Sequence, residues 1–149
     1  DAIAEKCSVP LIHIVDATLS VMRAAAPGDC GPVGLIATRG MLASGLYQTR
    51  FKAEGIECLC NTDEEMEQYF TPGCYAVKRG AIETGGQLLE RAAEALLARG
   101  ARRLILACTE VPLALDHIKS RHLPSSTDTN RALARACVNY WQEMRHIND

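Results

Sequence analysis

The sequence predicts an α/β fold, a mainly parallel sheet flanked by helices, and three observations carry that expectation. Short apolar runs alternate with amphipathic stretches in the rhythm strand, helix, strand, helix, strand, helix, helix, strand, helix. Two of the runs, Val33-Gly34-Leu35-Ile36-Ala37 and Leu104-Ile105-Leu106-Ala107, are apolar without alternation, the pattern of strands buried on both faces of a parallel sheet. Each run then switches abruptly to polar or small residues, Thr38-Arg39-Gly40 after the first and Cys108-Thr109-Glu110 after the second. Open α/β sheets bind ligands at the carboxyl ends of their strands. A thiol, a hydroxyl and a carboxylate therefore fall together where chemistry is expected. The competing reading of Cys108 is a buried structural residue, since free cysteine is among the most buried residue types.

Taken in order, residues 1–9 read as the tail of a helix or a helix–strand connection. After Pro10, Leu11-Ile12-His13-Ile14-Val15 reads as a short strand with His13 as a satisfied core histidine. Asp16 or Thr18 then caps a helix over about residues 19–26, stopped by Pro27-Gly28. Residues 27–32 are rich in Gly and Pro and mark a candidate boundary. Beyond the strand at 33–37, a helix is expected over 42–53, ended by Gly55, and Ile56-Glu57-Cys58-Leu59-Cys60 is a third strand candidate. Asn61-Thr62-Asp63 supplies cap chemistry for a helix over 64–70, whose acidic first turn suits the positive end of the helix dipole. Pro72-Gly73 reads as a break, residues 74–80 stay unassigned, and Lys78-Arg79-Gly80 forms a basic corner.

The helix over 83–99 is the clearest. Leu88, Ala92 and Leu96 mark one stripe with Leu89, Ala93 and Leu97 beside it, and Gly100 stops it. After the strand at 104–107 and Pro112, a short helix is expected over 113–119, with Asp116, His117, Lys119 and Arg121 on its solvated side. Residues 125–129 read as a loop or strand end, and Asp128 caps a last helix over 130–144 that turns Leu133, Ala136, Cys137 and Tyr140 inward.

Composition narrows the classes. A chain of 149 residues, 48% hydrophobic and 23% charged, matches one ordinary soluble globular domain. With 5% aromatic residues, its core must be built from Leu, Ile, Val and Ala. The net charge of -2 and the lack of a basic stripe argue against nucleic acid as a partner. No apolar run approaches a membrane span, and no secretory signal pattern is visible. The seven cysteines are odd in number and irregular in spacing, without the CxxC or HxxxH elements of a zinc site. Reduced thiols in a cytoplasmic enzyme fit them best. GxGxxG and P-loop patterns are absent, so neither a dinucleotide nor a P-loop phosphate site is expected.

Four segments in order resemble the aspartate/glutamate racemase superfamily. Pro10-Leu11-Ile12-His13-Ile14-Val15-Asp16-Ala17-Thr18 is similar to the strand closing that family's first lobe. Val33 through Gly40, followed by Ser44 and Tyr47, is similar to the strand and turn opening the second. Leu106-Ala107-Cys108-Thr109-Glu110 is similar to the family's second cysteine motif, and Asp128-Thr129-Asn130-Arg131 to its closing segment. The resemblance implies one complete lobe of a two-lobe fold with most of the first lobe absent. Residues 1–29 would be a remnant of the first lobe, 30–125 the second lobe, and 126–149 a helix returning to the first. There are departures: Met41 stands where many members carry threonine, Leu133 where many carry histidine, and Ala107 where glycine is common. Cys60-Asn61-Thr62 reads like the family's first cysteine motif but follows a different strand, and is taken as coincidence.

The resemblance also implies a chemistry: inversion of an amino-acid α-carbon without pyridoxal phosphate or metal, one thiolate removing the α-proton and an opposed thiol returning one. Cysteine suits this because its unperturbed pKa, about 8.5, lies near working pH. By this likeness Cys108 is the second-lobe acid/base, and Glu110 orients the substrate ammonium or assists proton traffic, its competing role being a helix cap. Thr109 and Thr38 contact the substrate, and Lys78 meets a side-chain carboxylate of an acidic amino acid. A homo-oligomer is the expected assembly. Two alternatives stay open: a single-cysteine relative of the arylmalonate-decarboxylase kind, and a truncated, non-catalytic domain.

Overall fold

The computed structural model describes residue 6, residues 9–25 and residues 31–147. Within them the fold is α/β, a four-stranded parallel sheet flanked by helices. The strands are β1 (Val33–Ala37), β2 (Cys58–Cys60), β3 (Arg103–Ala107) and β4 (Ser126–Asp128), in the order β2-β1-β3-β4. The helices are α1 (Ile14–Ala25), α2 (Arg39–Ser44), α3 (Leu46–Ala53), α4 (Asp63–Glu65), α5 (Thr71–Lys78), α6 (Ile82–Ala98), α7 (Glu110–His117) and α8 (Thr129–Ile147). A π-helical turn, Met66–Phe70, joins α4 to α5, and a 3₁₀ turn, Leu123–Ser125, precedes β4.

β1 is buried at every residue, as its unbroken apolar run requires. Val33, Leu35 and Ala37 point to one core with α1 residues Val15, Leu19 and Met22, α3 residues Tyr47 and Phe51, and Ile105 of β3. Ile36, Leu104 and Leu106 point to the other, with Met66, Phe70, Leu89, Leu96 and Val111. Gly34 lets α6 approach the sheet, since a Cβ there would stand 2.9 Å from the Leu96 Cβ.

Several expectations are corrected. The expected strand at 11–15 is not one: the chain is helical from Ile14. A lone extended segment would leave its backbone groups unpaired, whereas a helix pairs them internally. His13, half-buried, caps that helix in place of Asp16 or Thr18. Its Nδ1 accepts the Val15 N–H at 3.2 Å and its carbonyl the Ala17 N–H at 3.0 Å. Asp16 instead pairs with Arg50 at 2.8 Å, and the Thr18 hydroxyl donates to the Ile14 carbonyl. The helix expected over 42–53 is two, α2 and α3, because Gly45 turns left-handed at φ 66°.

Pro72-Gly73 does not break the helix. The Thr71 N–H reaches back to the Met66 carbonyl across the π turn. Pro72 then sits in the first turn of α5, where a missing N–H costs little. Finally, α7 starts at Glu110 rather than 113, and on α8 Leu133 and Ala136 are half-buried while Cys137 and Tyr140 are exposed. α8 packs on α1, β3 and β4. It also carries Val138, Trp141 and Met144, 52%, 56% and 40% exposed. The expectations for residues 1–9 and 27–32 lie mostly outside the described residues.

α5 and α6 cross over two glycines. A Cβ on Gly85 would meet Val77 Cγ2 at 2.5 Å and the Gly73 carbonyl at 2.8 Å. Gly85→Ala should destabilise the fold by about 1–3 kcal/mol, read as a lower urea midpoint. Gly40→Ala, where a Cβ meets no atom within 4 Å, should leave the stability equal or raise it by up to about 1 kcal/mol, read as an equal or higher midpoint.

Candidate active site

β1 and β3 end together. The pairing runs from Val33 with Arg103 to Ala37 with Ala107. Thr38 and Cys108 are the next residues on neighbouring parallel strands, at the carboxyl edge where the sequence places the chemistry. Thr38 spends its hydroxyl on α2, accepting the Met41 N–H at 3.3 Å. Cys108 lies between β3 and α7 and packs against the α5–α6–α7 core. Glu110, in the first turn of α7, folds back over it.

The Glu110 carboxylate organises the site. Its Oε2 lies 3.0 Å from the Cys108 Sγ and accepts the Thr109 hydroxyl at 2.8 Å. Its Oε1 lies 3.5 Å from the Lys78 Nζ. Cys108, Thr109, Glu110 and Lys78 are thus brought together, with Thr38 at the adjoining strand end. Lys78 is the last residue of α5 rather than a free basic corner.

Sequence reasoning missed Cys74. Its thiol, Cys108 and Glu110 place their reactive atoms within 4.8 Å of one another. Cys74 is 8% exposed. The signal was available: Cys74 and Lys78 are four apart, hence neighbours on one helical face. Reading Pro72-Gly73 as a break hid it.

Charge is distributed unevenly. Cys108 is held below the usual thiol range first by the Cys74 S–H, which can donate to its thiolate, while burial and the Glu110 carboxylate oppose this. Cys74 is pushed up by the same bond and by burial. Glu110 is lowered to about 2, first by the Cys108 S–H and then by Thr109 and Lys78. Cys108 cannot donate to Glu110 and be a thiolate at once, so the two bonds belong to two protonation states. Thr109 and Lys78 keep Glu110 ionised in both.

The two sulfurs cannot flank a substrate carbon. Acid/base groups on opposite faces each stand about 3–3.5 Å from it, which separates them by roughly 6–7 Å. Cys74 and Cys108 are closer than that. They serve one face.

A second thiol pair lies on β2, towards α3. Cys60 is lowered to about 7, first by the Cys58 S–H, then by the Gln48 amide 3.9 Å away and by Arg99. Cys58 is pushed up. The next residues do structural work. Asn61, buried, donates to the Ala92 carbonyl at 2.9 Å, and Thr62 forms a capping box with Glu65. A cleft of about 750 Å³ opens between α7, β4 and α8. Thr109 lines it along with Asp128, Arg131 and Arg135, but Cys108 does not. The sulfur lies on the side of the Cys108–Glu110 turn that faces α5.

Two expectations follow. A carboxyl lowered from 4.5 to about 2 on folding adds stability above pH 4.5 and loses it as pH falls towards 2. The stability margin of the wild type over Glu110→Gln, measured by urea unfolding, should therefore be largest near neutrality and shrink across that window. Iodoacetamide should alkylate Cys60 with a rate that rises through about pH 7, while Cys58 and Cys74 lag at neutral pH, as mapped by peptide mass spectrometry.

Residues 1–137 match the family model described as Asp/Glu/Hydantoin racemase. The chain is 33% identical over 122 residues to a glutamate racemase from Corynebacterium kroppenstedtii, covering 76% of this chain and 38% of that enzyme. It is 28% identical over 137 residues to an uncharacterized protein from Pectobacterium carotovorum, covering 92% of this chain and 89% of that one. An aspartate racemase homologue from Pyrococcus horikoshii superposes with a TM-score of 0.77 at 21% identity, over 94% of this chain and 60% of that structure, which shows a shared fold. The chain thus spans 38% of the length of the glutamate racemase and 60% of that of the solved structure. With the family model matched over most of its length, the chain belongs to the Asp/Glu/hydantoin racemase family.

Proposed function

We propose that this chain supplies one catalytic face of an amino-acid racemase that works without pyridoxal phosphate on an acidic substrate. The observation that supports it is the Cys108 thiol, set at the carboxyl end of β3 between an ionised carboxylate and a second thiol. As a thiolate, Cys108 removes the α-proton; as a thiol, it returns one. Thr109 and the backbone N–H groups at the start of α7 receive the α-carboxylate, where developing charge needs donors. Glu110 holds the substrate ammonium. Lys78 turns from Glu110 to a side-chain carboxylate, and Thr38 contacts the substrate from the neighbouring strand end. The opposed acid/base group comes from outside the described residues. The enzyme is cytoplasmic, uses no cofactor and works as a homo-oligomer.

The closeness of Cys74 and Cys108 favours one second reading. A site whose thiols serve a single face protonates a carbanion from one side, as in relatives of the arylmalonate-decarboxylase kind.

The test is α-proton exchange by the full-length protein in deuterated water, with L- and D-aspartate and glutamate, followed by NMR. Exchange with inversion, reduced at least about 100-fold in Cys108→Ser, is the expected result. Exchange with retention would move the protein to the one-face reading. A folded protein that exchanges none of these substrates would overturn the racemase proposal.

A further inference from the structure

We propose that Cys74, Cys108 and Glu110 together form a binding site for one thiophilic divalent cation of the zinc class, and that its occupancy takes Cys108 out of acid/base service. The site stands independently of the racemase reading; only its effect on turnover rests on it. Its ligand atoms, two sulfurs and a carboxylate oxygen, lie within 4.8 Å of one another. In a tetrahedral zinc shell, with Zn–S about 2.3 Å and Zn–O about 2.0–2.2 Å, neighbouring ligands stand roughly 3.5–3.8 Å apart. The Cys108 Sγ–Glu110 Oε2 pair, 3.0 Å apart, opens by about half an ångström and Cys74 closes on it by up to about an ångström, shifts within the reach of side-chain rotation.

The three ligands are held by separate parts of the fold. Cys74 comes from α5, Cys108 from the end of β3, and Glu110 from the first turn of α7. Cys74 is 8% exposed and the Glu110 side chain 18%. Three protein ligands leave the fourth position open, the arrangement of zinc sites that bind a water or an exogenous ligand. Two sulfurs select a soft ion over Mg²⁺ or Ca²⁺, which take oxygen ligands.

Lys78 does not exclude the ion. It faces Oε1 of Glu110, while Oε2 faces Cys108. The cation takes Oε2 and the ammonium keeps Oε1. Charge then balances: two thiolates, one carboxylate, one ammonium and one divalent cation sum to zero. Binding displaces up to two protons, one from each thiol, and changes no oxidation state. By contrast, Cys58 and Cys60 belong to no such three-ligand group among the described residues. Spacing rules could not find the site, because all of α6 and β3 lies in the chain between Cys74 and Cys108.

Cadmium alone is the probe. The reduced protein is titrated with Cd²⁺ while the ultraviolet thiolate-to-metal band and proton release are followed. The comparison proteins are Cys74→Ser and Glu110→Gln. The other five cysteines, Cys7, Cys30, Cys58, Cys60 and Cys137, are common to all, so differences report this site. The wild type should bind one more tightly held Cd²⁺ than Cys74→Ser, with the larger band and proton yield. Glu110→Gln, which keeps both thiols and alters only a partly exposed carboxylate, should keep the band but weaken that ion at least about tenfold. Zn²⁺ should compete for it, and Mg²⁺ should not. Zn²⁺ should also protect Cys108 from alkylation. Titrations identical in wild type and Cys74→Ser, or equal competition by Mg²⁺, would overturn the proposal. Exchange of α-protons, measured separately in chelator-treated protein, tests the racemase reading without touching this one.

Discussion

The pairing of β1 with β3 is the constraint on which everything else rests. Five consecutive residue pairs join the two strands, and both faces of the pair are buried. A shift of one residue would turn Leu104 and Leu106 from one core to the other and take Cys108 with them. The register is secured by what each face meets. Gly34 admits α6, whereas Val33 and Leu35 fill the gap beneath α1 and α3. The site inherits its geometry from these packing demands: Cys108 continues the row of Leu104 and Leu106, so it faces α5 and α7.

That row explains why a carboxylate and two thiols coexist in a small volume. Burial raises the energy of any charge, so each must be matched. Glu110 answers this with Lys78 on one oxygen and the Thr109 hydroxyl on the other. Cys108 can be charged because Cys74 keeps its proton and offers it as a hydrogen bond. Removing Cys74 would leave a thiolate facing a carboxylate with little to offset the repulsion. The carboxylate and the buried thiol act on the same sulfur in opposite directions, and its acidity reflects their balance.

The sequence was most legible where apolar periodicity was strong. β1, β3 and α6 lie within a residue or two of expectation, because an unbroken apolar run and a helical stripe have few other solutions. Asp128 is the N-cap it promised to be, accepting the Asn130 and Arg131 N–H groups at 2.9 and 3.2 Å. Local rules misled elsewhere. Pro72-Gly73 reads as punctuation, but a wider turn ahead of it absorbs the proline. Leu11 to Val15 reads as a strand, yet a strand needs a neighbour, which no local pattern can supply. Cys137 and Tyr140 sit on a helix with a mixed pattern whose packed side is set by α1 and the sheet. The gathering of Cys108, Thr109, Glu110 and Lys78 was foreshadowed by likeness to a family. Cys74 was not, because its place depends on how α5 packs against α6 and α7.

α8 is secured near its beginning. The Thr129 hydroxyl donates to the Leu106 carbonyl at 3.2 Å, and Asp128 closes the first turn. From there 19 residues extend about 28 Å, packed beside α1, with Val138 and Trp141 exposed on the way. The helix therefore ties α1 to a point two residues from Cys108 along β3. A displacement of α1 is thus carried by α8 to the strand end, where a shift of a few degrees would move the Cys108 sulfur relative to Cys74 and Glu110.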